Sequence, residues 1–399
     1  MRTPGSTSST PAASTPPPSS CPSRAADRPR IEGAPLLTVT LVDVRLAALD
    51  PSLPGGAVDV EFDGTIRGIR RSGSGVALGD VIDGAGRFLV PGLIDTHVHL
   101  GSRGALESAA RAGVTTMIDL GTHPDSLVAE QRMQRGAPSL RSAGSAASAP
   151  GSTQIALMGN PEESAVTGAA DAERFLTWRS DNGSDLIKII IEDPDATDVP
   201  ALDVPTITAL VEGAHRRGWT TVAHVVTANA FSRGLDAGVD VLTHAPLDRP
   251  LPEETAARML AQGTIASPTL MMMQVMARAR LGDRADAAIG NAVESVRRMH
   301  AAGVRIVAGT DANESPFAPV PHGASLHTEL GLLRQAGLSA VDAVRAATSG
   351  AASALGLADR GVVAVGRRAD LLLVDGDPVS DVSVLTRPVA VWIAGQPVA

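Results

Sequence analysis

The chain of 399 residues has no tyrosine, and aromatics make up only 2% of it. Any mechanism that needs a tyrosine hydroxyl as acid or oxyanion donor is therefore excluded. A single cysteine, Cys21, rules out an internal disulfide framework and leaves no thiolate to serve as a metal ligand in the body of the chain. Basic residues are the minority: 34 Lys and Arg stand against 43 Asp and Glu, a formal net charge of -9. That balance, with no dense basic run, excludes a nucleic-acid surface. No apolar run approaches the length of a membrane span, and none precedes Cys21 as a lipoprotein signal requires. The expectation is a cytoplasmic protein that takes a small-molecule substrate and binds neither nucleic acid nor membrane.

What is present divides the chain in three. Residues 1–34 are rich in Ser, Thr, Pro and Ala, bury too little apolar surface to offset their ordering entropy, and read as a disordered tail. Short strand-like runs follow at Leu37–Val42, Val58–Phe62, Ile66–Ile69 and Arg87–Val90, and the C-terminus matches them with Ala369–Val374 and Val389–Ile393. Segments 35–90 and 362–399 are therefore expected to pair into one small β-sandwich. Between them, apolar strands alternate with helical stretches, the pattern of a parallel βα architecture. Strands are expected at Leu93–Leu100, Thr115–Leu120, Gln154–Met158, Asp185–Ile191, Thr220–Val225, Val241–His244, Ile265–Leu270 and Arg305–Ala308. Eight of them fit an α/β fold with a (β/α)8 TIM barrel over residues 91–361. The Ser/Ala/Gly/Pro-rich stretch Gly136–Gly151 reads as a mobile loop at the barrel mouth. Ser339 followed by Asp342 resembles a capping box, and Gly337 ends the helix before it.

The run from Val90 to His99, VPGLIDTHVH, carries the first chemical signal. His97 and His99 stand at alternate positions of an apolar strand, so both imidazoles point to one face and can reach one metal ion. An HxH pair alone is weak, since exposed strand histidines share the spacing. Its place at the C-terminal end of a barrel strand, where barrel enzymes carry their chemistry, strengthens it. Four more residues of suitable type end other expected strands. Lys188 interrupts the apolar run Leu186–Ile191, a costly place for a charge unless it is paired or altered. His224 ends TTVAH, His244 ends VLTH, and Asp311 follows IVAGT. Singly, each has a structural reading: a snorkelling lysine, or histidines bonded to backbone at strand ends. Together they match the needs of a divalent metal pair.

The runs PGLIDTHVHL, DLIKIII, VAHV, LTHAP, AGTDA and ADLLLVDGDP together resemble the metal-dependent amidohydrolase superfamily, in particular its imidazolonepropionase-like and Xaa-Pro dipeptidase-like branches. The resemblance spans Leu36 to the C-terminus. It implies a binuclear site, usually of zinc, on a TIM barrel. His97 and His99 would hold the more buried ion with Asp311, and His224 and His244 the more exposed one. Lys188, carboxylated by carbon dioxide, would bridge them. It also implies a homo-oligomer.

The chemistry of that assignment follows from the side chains. A protonated lysine has three donors and no acceptor, so it cannot ligate. Carboxylation turns it into an anion whose two oxygens can span two ions, and burial favours the neutral amine that reacts. Metal-activated hydroxide is then the expected nucleophile, with Asp311 as general base and proton donor to the leaving nitrogen. The expected reaction is hydrolysis of a C–N bond in an N-acyl amino acid or dipeptide. Lactone or ester hydrolysis, or opening of a cyclic amide, would use the same site. A deaminase fits less well, because the mononuclear deaminases of the superfamily do not use the strand-four lysine. A non-catalytic scaffold is the reading from another class, and such proteins lose ligands that this chain keeps.

Of the other histidines, His322 and His123 are expected to touch substrate, the first after strand eight and the second after strand two. His327 begins a helix, and His215 and His300 read as surface residues. Asp95, two before His97, is expected to orient a ligand from behind. Met271, Met272, Met273 and Met276 read as packing.

Overall fold

The computed structural model describes residues 37–49 and 55–399; the expected tail, with Cys21, lies outside them. Hydrophobic alternation builds the terminal sheet. Val39–Leu46 turns Val39, Leu41, Val44 and Leu46 inward, and Ala57–Phe62 does the same with Val58, Val60 and Phe62. The eight-stranded sheet runs, edge to edge, Gln396–Pro397, Ala390–Ile393, Leu371–Val374, Phe88–Pro91, Val39–Leu46, Ala57–Phe62 and Ile66–Arg71, with Asp80–Asp83 beside Val39–Leu46. It closes over its own core as a small β-sandwich, where Phe62 meets Trp392 edge to face at 5.8 Å. Asp80–Asp83 carries no sequence signal for a strand: it has acids at both ends and is exposed throughout.

The barrel grows directly from this sheet. Phe88–Pro91 pairs with Leu371–Val374, Gly92 N–H donates to Asp370 O at 2.7 Å, and the first barrel strand, Leu93–Val98, starts at the next residue. Any side chain at position 92 would collide with that of Thr115, whose Oγ1 and Cγ2 already occupy the space a Cβ would need, so glycine is required there by close approach. Leu93–Val98, Val114–Asp119 and Ser139–Ser142 form one parallel sheet; Ile187–Ile190, Thr221–His224, Val241–Thr243 and Ile265–Ser267 form another. Asp185 N–H donating to Ser142 O at 2.8 Å, and the bridge between Ala147 and Ile189, join them on one side. Segment 305–308 closes the ring: it bonds Ala266 on one edge, and Ala308 O accepts from Thr96 N–H at 3.0 Å on the other. The fold is a (β/α)8 barrel with a β-sandwich made by the two ends of the chain. Ile187, Ile189 and Ile191 pack outward on the helices with Leu210 and Phe231, so Lys188, of opposite parity, faces the barrel interior. Among the described residues no helix is long and apolar enough to cross a membrane.

One expected strand is corrected. Residues 153–156 are a helical turn, and the third barrel strand is Ser139–Ser142, inside the stretch expected to be a mobile loop. Residues 142–149 are buried. Glycine is required at 144 because the buried Arg179 fills the adjoining space: a Cβ there, at φ 59, would run into its guanidinium. The N-cap half of the capping box is present, Ser339 Oγ accepting from Asp342 N–H at 3.0 Å, while the Asp342 carboxylate accepts from the Ser339 hydroxyl rather than from its N–H.

Candidate metal centre

The barrel brings the six residues into one interior cluster. His97 Nε2 and His99 Nε2 lie 3.4 and 3.1 Å from Asp311 Oδ1, and the ligand atoms of these three residues all fall within 4.8 Å of one another. The His244 ring sits 5.0 Å from that of His97 and 4.5 Å from that of His224. Lys188, buried, acts electrostatically on His97, His99, His224 and His244. Each histidine pair contributes one buried ring, His97 or His244, and one half-buried ring, His99 or His224.

Hydrogen bonds settle the state of His97. Thr243 Oγ1 donates to Ser267 O at 3.1 Å, so its contact of 2.7 Å with His97 Nδ1 is one in which the imidazole N–H donates. Burial holds His97 well below the usual imidazole range, and the ring is neutral. Its Nε2 therefore carries a lone pair, is buried without a hydrogen-bond partner, and faces a carboxylate oxygen. Two facing acceptors repel unless a cation lies between them, so the donor set fits a metal ion. Burial pulls His224 down to about 3 and Lys188 to about 7, the latter against the charges of Asp311 and Asp119. His99 differs: burial alone would lower it, and Asp311 and Asp119 outweigh that and raise it.

The backbone is strained where it delivers these groups. His244, Asp311 and Thr269 adopt φ of 79°, 59° and 46°, a region that costs a residue with a side chain about 1 kcal/mol or more. Asp95 holds the Asp311 turn, accepting from Thr310 Oγ1 at 2.7 Å, Thr310 N–H at 3.1 Å and His97 N–H at 3.3 Å. It thus acts on Thr310 and on the His97 backbone rather than on an imidazole. Thr269 Oγ1 bonds His244 Nδ1 at 2.8 Å. The two residues after Thr269 donate their N–H groups to Glu329, Leu270 at 3.0 Å and Met271 at 2.8 Å. Glu329 is fully buried and pushed up to about 8 by desolvation.

The remaining predicted residues fall away from the cluster or behind it. His322 Nε2 donates to His99 O at 2.9 Å, which places it against the backbone of the first strand's loop. His123 lies 3.4 Å from Met158 O on the loops after strands two and three. His327 donates to Ala112 O at 2.9 Å within helix Ala324–Gln335, and exposed His215 pairs with Asp240. Met272 and Met273 are core, with Met271 and Met276 packed on it. Sequence reasoning missed Thr243, Thr269 and Glu329. Thr243 directly precedes His244 and Thr269 directly precedes the methionine-bearing helix, so both could have been read as hydroxyl partners of histidine; Glu329 carries no signal within an ordinary helix.

A barrel with imidazoles, a lysine and an aspartate converging at the C-terminal ends of its strands is the architecture of a metal-dependent hydrolase. Residues 88–398 match the amidohydrolase family, and the chain belongs to it. It is a hydrolase acting on carbon–nitrogen bonds. Among solved structures, it is similar to a Xaa-Pro dipeptidase with methionine bound in its active site (22% identity, TM-score 0.79, covering 90% of this chain and 99% of that one). It is also similar to a putative prolidase from Bifidobacterium longum (26% identity, TM-score 0.78, 91% and 95%). A third is a prolidase complexed with N-methylphosphonate-L-proline (22% identity, TM-score 0.76, 90% and 99%). No curated protein matches it in sequence.

Proposed function

We propose that this chain is a binuclear, zinc-dependent hydrolase that cleaves the amide or peptide C–N bond of a small substrate such as an N-acyl amino acid or a dipeptide. The observation that carries the reading is the interior cluster, in which the neutral His97 turns an unpartnered Nε2 toward Asp311 while a lysine lies buried beside four imidazoles. His97, His99 and Asp311 would hold one ion, and His224 and His244 the other. Bound there, divalent metal ions supply acidity to a water and polarise a carbonyl.

The residues do the rest. At about 7 the Lys188 amine is substantially neutral near physiological pH, so its lone pair can attack carbon dioxide. A nitrogen–carbon bond forms, a proton leaves, and the product is an anion whose two oxygens would help to hold the ions. Asp311, its backbone fixed by Asp95 through Thr310, takes a proton from the attacking water and passes it to the departing nitrogen. The prolidases among the structural neighbours support a dipeptide as one such substrate.

Metal analysis of zinc-grown protein should find about two ions per chain, and a panel of dipeptides, N-acyl amino acids and lactones assayed with metal and bicarbonate should show amide cleavage. Well under one ion per chain, or full activity in Lys188→Ala or Asp311→Asn, would overturn the proposal.

A further inference from the structure

Two carboxylates stand side by side where strand four ends, and their surroundings are opposite. Asp193 is buried and fully partnered: it accepts from Thr227 Oγ1 at 2.8 Å, Asn229 Nδ2 at 2.7 Å and Asp195 N–H at 3.1 Å. Burial alone would raise its carboxyl, and the bonds from Asn229 and Thr227 outweigh that and hold it below the usual range. Glu192 is half-buried, and among the described residues its carboxylate makes no hydrogen bond and no ion pair. Desolvation, with no donor or cation to oppose it, pushes it up.

The direction of Glu192 follows from the residues on either side. The strand-four ladder continues to Ile191, whose N–H donates to His224 O at 3.1 Å. The Ile191 side chain lies outside the barrel, against Gly234 of helix Ala228–Asp236. Asp193 reaches the start of the same helix, where Thr227 is the N-cap, and the following Pro194 favours an extended backbone there. Residues 191 and 193 both turn outward, so Glu192 between them turns inward, on the face of Lys188 and Ile190. Ile190 stands opposite His224. Glu192 is therefore one pleat, about 7 Å, beyond the layer of His224 toward the barrel mouth. A glutamate side chain and one charge-assisted hydrogen bond span that distance, and its partial exposure leaves the carboxylate open to the mouth.

A carboxylate half withdrawn from water without a donor costs stability that a neutral side chain would not. Such a group repels a substrate carboxylate and attracts a cation. One carboxylate is too few ligands for a further metal ion, and the cation that suits it is an ammonium, a compact charge with three donors. In a dipeptide the free amine lies two bonds from the scissile carbonyl carbon; a simple N-acyl amino acid has no charge on that side.

We propose that Glu192 is a specificity-determining residue whose carboxylate accepts hydrogen bonds from an ammonium group on the acyl side of the scissile bond. This rests on the amide-hydrolase reading above. The test joins three acyl groups, alanyl, N-acetylalanyl and N-acetyllysyl, to the best-cleaved leaving residue of the amide panel, with metal-replete full chain. The wild type should prefer a charged acyl group over N-acetylalanyl by about 10- to 100-fold in kcat/KM. Preference for alanyl identifies the α-ammonium as the bound group, and preference for N-acetyllysyl a side-chain ammonium. In Glu192→Gln that ratio should collapse to within about threefold, with metal content unchanged and Tm level or higher. The inference alone is overturned by a wild type that cleaves the panel without preferring either charged acyl group, by a preference that survives in Glu192→Gln, or by a fall in Tm, which makes the carboxylate structural. A wild type that cleaves no amide of the panel overturns the amide-hydrolase reading, and this inference with it.

Discussion

Strands three and four of the barrel are neighbours with opposite sequences. Strand four, Ile187–Ile190, is an apolar run whose lone charge, Lys188, stands out at once. Strand three, Ser139–Ser142, sets Leu140 and Arg141 between two serines, and its continuation from Ala143 through Ala149 is built of Ser, Ala and Gly; the whole reads as a loop. Yet strand four and residues 142–149 are both buried. Strand four packs large side chains on the helices, whereas strand three lies against Arg179, which fills the space itself while pairing with Asp125 and donating to Ala143 O at 3.2 Å. Hydrophobicity marks a strand only where its outer face must supply the packing volume; where a neighbour supplies it, the strand is marked by smallness instead.

The largest test of this contrast is at Lys188. Lys188→Ala removes the one polar group strand four contributes and should reduce kcat by roughly 10³-fold or more, the scale of losing several kcal/mol of transition-state stabilisation. Bound metal, measured by elemental analysis, should fall with it. On strand three the damage should be to folding. Gly144→Ala forces a Cβ into the Arg179 guanidinium at a left-handed φ and should cost about 2–4 kcal/mol in urea unfolding; a stable variant would mean that volume is not what keeps this strand small.

A smaller effect is expected behind the site. Glu329→Gln keeps one acceptor of two and should cost about 1–2 kcal/mol. It also carries a pH signature. Because the folded pKa, about 8, lies above the ordinary 4.5, the group's contribution is fully present below pH 4.5 and is lost as pH rises through 8. The wild type should therefore lose stability across that window, and the Gln variant should lack that component of the slope. Ser339→Ala, a capping change far from both strands, sets the lower end of the scale at about 1 kcal/mol.

Much of the centre was legible because metal ligands have few possible identities and barrel strands place them at their C-terminal ends. His97 and His99 at strand spacing, His224 and His244 at the ends of apolar runs, and Asp311 after IVAGT needed only parity and position. The groups that orient them were not. Thr243 and Thr269 are ordinary in composition, and their roles depend on ring nitrogens brought close by tertiary structure. Glu329 sits in helix Ala324–Gln335 beside residues with no special pattern, and only its burial against Leu270 N–H and Met271 N–H sets it apart. Asp80–Asp83 was missed for a plainer reason: its strand is exposed and defined by backbone pairing to Val39–Val42 alone.

The junction at Gly92 has a consequence for the order in which the molecule can be completed. Leu371–Val374 grips Phe88–Pro91, and one residue later begins the strand that presents His97 and His99. During synthesis Leu371–Val374 joins Phe88–Pro91 only when all but about the last 25 residues have emerged. An N-terminal fragment ending short of Leu371 would own every one of the six cluster residues and the pairing of Leu93–Val98 with Val114–Asp119, yet lack the strand that grips Phe88–Pro91 just before them.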